Sequence, residues 1–335
     1  MEQARIKWLD ALKLFAIFLV LWGHAVQHLL SSEYWDEPVY RIIYSFHMPL
    51  FMTISGFFGA KLSSIPFTIV LFRKFRQLLL PAISFGLIYC IIVTCAGNLG
   101  GGGIWFFIHS FWFLKSLFLC SITYCIASKV PKYTLFAVVL SLIVSQVIPF
   151  CAFDRMYPCF IFGVALYKYF DYFQKNIRVM LAVSASIFIV MLVKFDASFL
   201  KGFNSDAIKS FDLMEIGRYL YVRYYRILMG FAGSMTFIAL FYSLSRWIPN
   251  SKLGDTLCKY GKYTLGIYIL QTFFLEMILR DNLSCDGLSF CIFNFIVAPL
   301  ISSCVLIICL VCIKIIHCSP IASWLLLGES FPREK

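Results

Sequence analysis

Apolar runs of bilayer-spanning length recur from one end of this chain to the other, at 9–30, 38–60, 77–96, 104–127, 133–150, 156–170, 178–194, 223–245, 263–280 and 290–316. A hydrocarbon core about 30 Å thick takes about 20 residues of helix to cross. Inside it, only helices and closed barrels satisfy every backbone N–H and C=O. The runs therefore predict an all-α polytopic membrane protein with about ten transmembrane helices. Composition agrees, since 61% of the 335 residues are hydrophobic and only 14% are charged, too few to cover a soluble domain. The first run has no small-residue cleavage site and carries Asp10 and Lys13 at its start, so it reads as a retained helix and not as a removable signal peptide.

Cations set the expected orientation, because short cytoplasmic loops keep an excess of Lys and Arg. With an even helix count and the N-terminus inside, the inner segments hold most of the 29 basic residues, among them the Lys61, Arg73, Lys74 and Arg76 group and the Arg246, Lys252, Lys259 and Lys262 group. The outer stretches SSEYWDEP and DNLSCDGLS are acidic or turn-like instead. Both termini are thus expected in the cytoplasm. The net charge of +12 is mostly a topology signal and calls for no nucleic-acid partner.

Residues 1–335 read as a single transmembrane domain with an outer loop at about 195–222, which has room for a short amphipathic helix, and with no soluble catalytic domain. GNLGGGGI at 97–104 reads as a flexible outer turn. The 13 cysteines are scattered through apolar helices without CxxC spacing and read mostly as small buried hydrophobes. Cys151 and Cys285 fall near the outer face, where a disulfide between them is open.

Chemistry must then lie in the few polar groups that membrane helices would otherwise exclude, each of which is costly at bilayer depth. Lys13 and His24, eleven residues apart in the first run, project from nearly one helical face. They sit roughly 16 Å apart along the axis. Asp10 is placed to pair with Lys13. The plainer reading is that Lys13 snorkels to the interface and His24 bonds a neighbouring backbone. In the second run, YSFHMPLFMTISGFFGA, His47 precedes Pro49, which frees a carbonyl, and the Ser55-Gly56 pair, which lets another helix or a ligand approach closely. His47 then either faces His24 or is a satisfied histidine beside a kink. At the start of the third helix, FRKFRQLLLPAIS sets Arg73 and Arg76 one turn apart, either to converge on one anion or as ordinary positive-inside flanking.

IKWLDALKLFAIFLVLWGHA (6–25), FHMPLFMTISGF (46–57), Arg73-x-x-Arg76, GKYTLGIYILQTFF (261–274) and, more weakly, FWFLKSLF (111–118) together resemble the type-3 acyltransferases. These are ten-helix membrane enzymes that move acyl groups, usually acetyl from acetyl-CoA, onto sugars of bacterial surface polysaccharides. The resemblance maps the family's helix-one basic residue and histidine onto Lys13 and His24. Lysine in place of the frequent arginine keeps the charge and loses the planar fork. Gln271 stands where relatives often have histidine, which argues against proton transfer there.

The resemblance implies an O-acetyltransferase of the bacterial cytoplasmic (inner) membrane. Arg73 and Arg76, helped by Lys13 or Lys74, would hold the phosphates of acetyl-CoA. His24 would serve as general base or acyl carrier, with His47 orienting it or touching the acceptor. Trp112 would stack on the sugar, although an interfacial aromatic belt explains it nearly as well. The expected partners are a glycan or lipid-linked sugar acceptor and membrane lipids.

His24 and His28 have metal-compatible spacing but no apparent third ligand, so no metal is expected. Glu276 and Arg280 are expected to pair with each other. A transporter or flippase for a polar solute, using the same buried charges as a pathway, is the alternative from another class.

Overall fold

A computed structural model of the protein describes residues 7–30, 34–95, 110–200, 213–246, 259–279 and 283–331. The described residues contain helices and turns and no β-strand, and the chain is a multi-pass membrane protein. Among the described residues, six continuous helical stretches are long and apolar enough to cross a membrane: Lys7–Leu29, Pro38–Ser64, Phe67–Ile92, Phe150–Lys168, Leu213–Ser243 and Phe290–Ile316. The other apolar runs carry the shorter helices Trp112–Ala127, Thr134–Ser145, Ile177–Val193 and Thr264–Thr272.

Two helix starts differ from the reading of hydropathy alone. The third stretch begins at Phe67 and runs as α-helix to Lys74, π-helix over Phe75–Leu79 and α-helix again over Leu80–Cys95. Arg73 and Arg76 are therefore inside a helix and not in a flanking segment; long basic side chains let a helix carry charge at its polar end without breaking. The eighth begins at Leu213, so Glu215 and Arg218, outside the expected run 223–245, are helical too. The expected outer loop shrinks from its C-terminal side, and its residues 201–212, like the glycine-rich turn at 97–104, lie outside the described residues.

The described residues form two compact units, one from segments 1–54, 169–264 and 271–307, the other from 55–168, 265–270 and 308–335. In the first unit, α1 (Lys7–Leu29) packs along Leu213–Ser243 through aromatic rings. Phe15 meets Phe237 and Phe241 at 5.4 and 5.3 Å, and Trp8 meets Tyr242 edge-on at 5.4 Å. Phe46 of α2 (Pro38–Gly59) stacks on Phe237 at 4.4 Å and stands edge-on to Phe188. Such offset and edge geometries suit the ring quadrupoles. Two backbone contacts then locate the ends of α1. A Cβ on Gly261 would lie 2.1 Å from the Asp10 carbonyl oxygen, and the Cys285 N–H donates to the Leu29 carbonyl at 2.8 Å.

In the second unit, the small residues of α2 do admit a neighbour: a Cβ on Gly56 would fall 1.9 Å from the Phe160 carbonyl oxygen, and one on Gly59 would strike the Phe160 ring. What approaches there is a helix backbone, the packing expected where lipid offers apolar surface no competition and van der Waals contact decides. The C-terminal helix Pro320–Leu327 is framed by local chemistry. The Ser319 side chain accepts from Ala322 N–H, Pro320 occupies the first turn, and left-handed Gly328 closes the end against Arg76 and Gln77.

At the N-cap of the short 3₁₀ helix Ala197–Phe199, Asp196 accepts from the Ser198 hydroxyl and, at 2.8 Å, from its N–H. These bonds hold its carboxyl below the ordinary range. Cys151 and Cys285, open to pairing on sequence, are both free thiols.

Candidate functional site

The polar face of α1 is half-buried where the rest of the helix is packed away. Leu12, Ile17, Leu21 and Ala25 are within 1% of full burial, whereas Lys13, His24, Gln27 and His28 keep partial access. Lys13 and His24 thus share the face that their spacing predicts. At its lower end Lys13 pairs with the buried Asp10 carboxylate at 3.4 Å. The Gly261 backbone sits against that same turn of α1, which gives the glycine of GKYTLG a steric reason.

Three turns above Lys13 and beyond, the face becomes a cluster of polar and aromatic groups. The His24 and His28 rings are parallel within 4° with centroids 5.7 Å apart, as i,i+4 side chains on one helix allow. Glu276 joins them, and one donor atom from each of the three lies within 4.8 Å of the others. Nδ1 of His24 is buried with no hydrogen-bond partner among the described residues.

Helix α2 supplies the second wall. The Tyr44 hydroxyl donates to Gln27 Oε1 at 2.8 Å, and its ring stacks on Tyr40 at 3.9 Å. Gly23 makes this fit possible, since a Cβ there would lie 2.7 Å from Tyr44 Cε2. Tyr44 stands edge-on to both His24, at 6.3 Å, and His47, at 4.7 Å. His47 is buried, and because its Nδ1 lies 2.7 Å from the Ile43 carbonyl, which only accepts, Nδ1 carries the proton. Its Nε2 is then the acceptor in the neutral ring. Arg226 is near enough for its charge to act on His47 and Tyr40, as that of Glu276 acts on Tyr44.

Glu276 occupies the π-helical stretch Phe273–Leu279 that follows the α-helix Thr264–Thr272. The extra residue of a π-turn re-aims side chains, and such turns gather at functional sites. Sequence spacing pairs Glu276 with Arg280, which lies outside the described residues; the structure sets Glu276 beside two histidines. Its signal was an acid within an apolar run, the same rule that singles out His24. Tyr44 and Gln27 had no comparable signal, whereas Arg226, a cation within the run 223–245, carried the same one. Gln271 is buried, with Nε2 donating to Thr272 Oγ1 at 3.2 Å and Oε1 unpartnered among the described residues.

The other expected residues belong to the second unit. Arg73 is exposed and Arg76 half-buried on their shared helical stretch, Arg76 within the π-turn. Trp112 opens the helix Trp112–Ala127, half-buried, with its ring edge-on to Phe113.

The arrangement offers an accessible imidazole inside a membrane protein, with a carboxylate to balance positive charge and a tyrosine to fix the ring. That is equipment for proton transfer to or from a hydroxyl. Two nodulation proteins NolL are related over part of their length: that of Mesorhizobium japonicum is 39% identical over 89 residues, 25% of this chain and 22% of the relative, and that of Sinorhizobium fredii is 33% identical over 91 residues, 26% and 24%. The chain therefore spans about a quarter of the curated relatives it matches. No solved structure matches it. A family model described as an acyltransferase domain matches residues 6–315, essentially end to end, and the chain belongs to that type-3 acyltransferase family.

Proposed function

We propose that the protein is a membrane O-acyltransferase that moves acetyl from acetyl-CoA to a hydroxyl of a bacterial surface polysaccharide or lipid-linked sugar. The observation that carries this reading is the half-buried His24 imidazole, with Nδ1 unpartnered among the described residues, set beside Glu276 and braced by Tyr44. In the reaction, neutral His24 takes the proton of the sugar hydroxyl as its oxygen attacks the thioester carbonyl. The C–S bond then breaks, and the departing sulfur takes the proton from the imidazolium. Glu276 offsets the charge that His24 carries in between. Histidine suits the exchange because it gains and loses protons around neutrality.

Arg73 and Arg76, with Lys74, are assigned to the nucleotide phosphates of acetyl-CoA, for which paired guanidinium donors are suited. The ion pair with Asp10 gives Lys13 a structural duty beside any contact with the donor. His47 positions Tyr44 and through it His24, and Trp112 is the candidate stacking surface for a sugar ring. The reading includes ten membrane crossings, cytoplasmic termini and residence in the inner membrane, as the distribution of lysine and arginine favours.

Proteoliposomes given acetyl-CoA and the polysaccharide acceptor should release free CoA and yield a glycan heavier by one acetyl group. His24→Ala, inserted normally, should lower the rate by about 100-fold or more. Arg73→Ala should weaken acetyl-CoA binding with little change in thermal midpoint. A wild-type rate in the histidine variant removes the mechanism, and unchanged CoA affinity in the arginine variant removes that role. Relocation of solute without covalent change would make the protein a transporter.

A further inference from the structure

The histidine pair lacks a third metal ligand in the sequence, and the fold supplies one. His24 and His28, one helical turn apart on α1, converge with Glu276 from the π-turn Phe273–Leu279 so that one donor atom from each lies within 4.8 Å of the others. All three residues are half-buried. The second indication is Nδ1 of His24, which is buried and has no hydrogen-bond partner among the described residues. We propose that His24, His28 and Glu276 form a site for a divalent transition-metal ion of the zinc class, and that its occupation stops acyl transfer.

The donor set selects the ion. Two imidazoles and one carboxylate suit zinc, cobalt, nickel or copper, whereas magnesium and calcium want oxygen ligands throughout. Two histidines and one glutamate also make the three-ligand set of open zinc sites, where water fills the fourth position. Bonds of about 2.0–2.1 Å in a tetrahedron put ligand atoms roughly 3.3 Å apart, so the three side chains need close by only about an ångström or so. The carboxylate leaves a bound divalent ion with one uncompensated charge, which the partial access to solvent tolerates.

A nitrogen that binds metal cannot take a proton. Occupation therefore withdraws His24 from the exchange proposed above; this inhibitory consequence rests on that reading, and metal binding does not.

The test uses full-length protein in detergent, stripped with chelator, dialysed and titrated with Co²⁺. Its visible absorption reports nitrogen and oxygen ligands, and an intense near-ultraviolet charge-transfer band reports thiolates, which separates this site from the cysteines. The expected result is about one Co²⁺ per chain without the thiolate band, with affinity lowered about tenfold or more in His28→Ala and in Glu276→Gln. Glu276→His, which exchanges one metal donor for another, should retain the ion and so separates loss of a ligand from loss of the fold. Absence of such a site, or binding that neither loss-of-ligand substitution weakens, overturns the proposal. In the acetyl-CoA assay, added Zn²⁺ should bring wild-type transfer down to the level of His24→Ala and chelator should restore it. Undiminished transfer with metal demonstrably bound overturns the inhibitory half. A fully active, metal-free His24→Ala would instead refute the proposed mechanism and leave the binding result standing.

Discussion

At the scale of single residues, the site depends on one hydroxyl more than its composition suggests. Tyr44 donates to Gln27 while its ring stands against His24 and His47, so one side chain braces three polar neighbours. Tyr44→Phe keeps the ring and leaves Gln27 Oε1 without this donor, which should cost about 1 kcal/mol and appear as a lower thermal midpoint in detergent. An unchanged midpoint would mean that water replaces the hydroxyl at no cost. Lys13 and His24 were legible because eleven residues is close to a whole number of helical turns, and because charge in an apolar run is conspicuous. Glu276 was visible by the second criterion, but its approach to the two histidines was not, since i,i+4 reasoning assumes an α-helix and this residue lies in a π-turn. Tyr44 was hidden among aromatics that membrane helices carry anyway.

At the scale of elements, the apolar runs located the helices, and errors collected where polar residues extend a helix past its apolar stretch, as at Phe67 and Leu213. Three π-turns, Phe75–Leu79, Phe273–Leu279 and Phe293–Val297, interrupt the described helices, and each carries a polar side chain: Arg76, Glu276 and Asn294. Asn294 is fully buried and donates to Glu37 Oε2 at 2.8 Å, so this turn too directs a polar contact within the first unit. Nothing in a hydropathy pattern marks such turns. Glycines were easier to notice than to interpret. Gly261→Ala would drive a methyl into the Asp10 carbonyl and should destabilise by about 1–3 kcal/mol, disturbing the turn that holds Lys13. Gly217→Ala, on an exposed helical position with nothing within 4 Å of its Cβ, should instead stabilise by about 1 kcal/mol. Thermal unfolding of the pair checks both signs, and equal behaviour would show that the Asp10 contact yields without cost.

At the scale of the whole molecule, the outward apolar residues are the counterpart of the ordered interior. Leu135, Phe136, Val190 and Ile307 are each more than 60% exposed, as suits surfaces whose solvent is lipid. Their helices differ widely in length. The stretch Phe290–Ile316 has 27 residues and Thr134–Ser145 has 12. At 1.5 Å per residue these are roughly 40 and 18 Å, on either side of a hydrocarbon core about 30 Å thick. On the proposed reading of ten crossings, the long helix can tilt to fit, whereas the short one is met by a thinner bilayer beside it. Thermal midpoint and transfer rate should therefore both fall as reconstituting lipids lengthen from about 14 to about 22 carbons per chain, and a flat response would count against a thinned membrane beside this helix. The lipid around Thr134–Ser145 then acts as an elastic load on the enzyme, so that membrane thickness becomes a control on its stability alongside donor and acceptor supply.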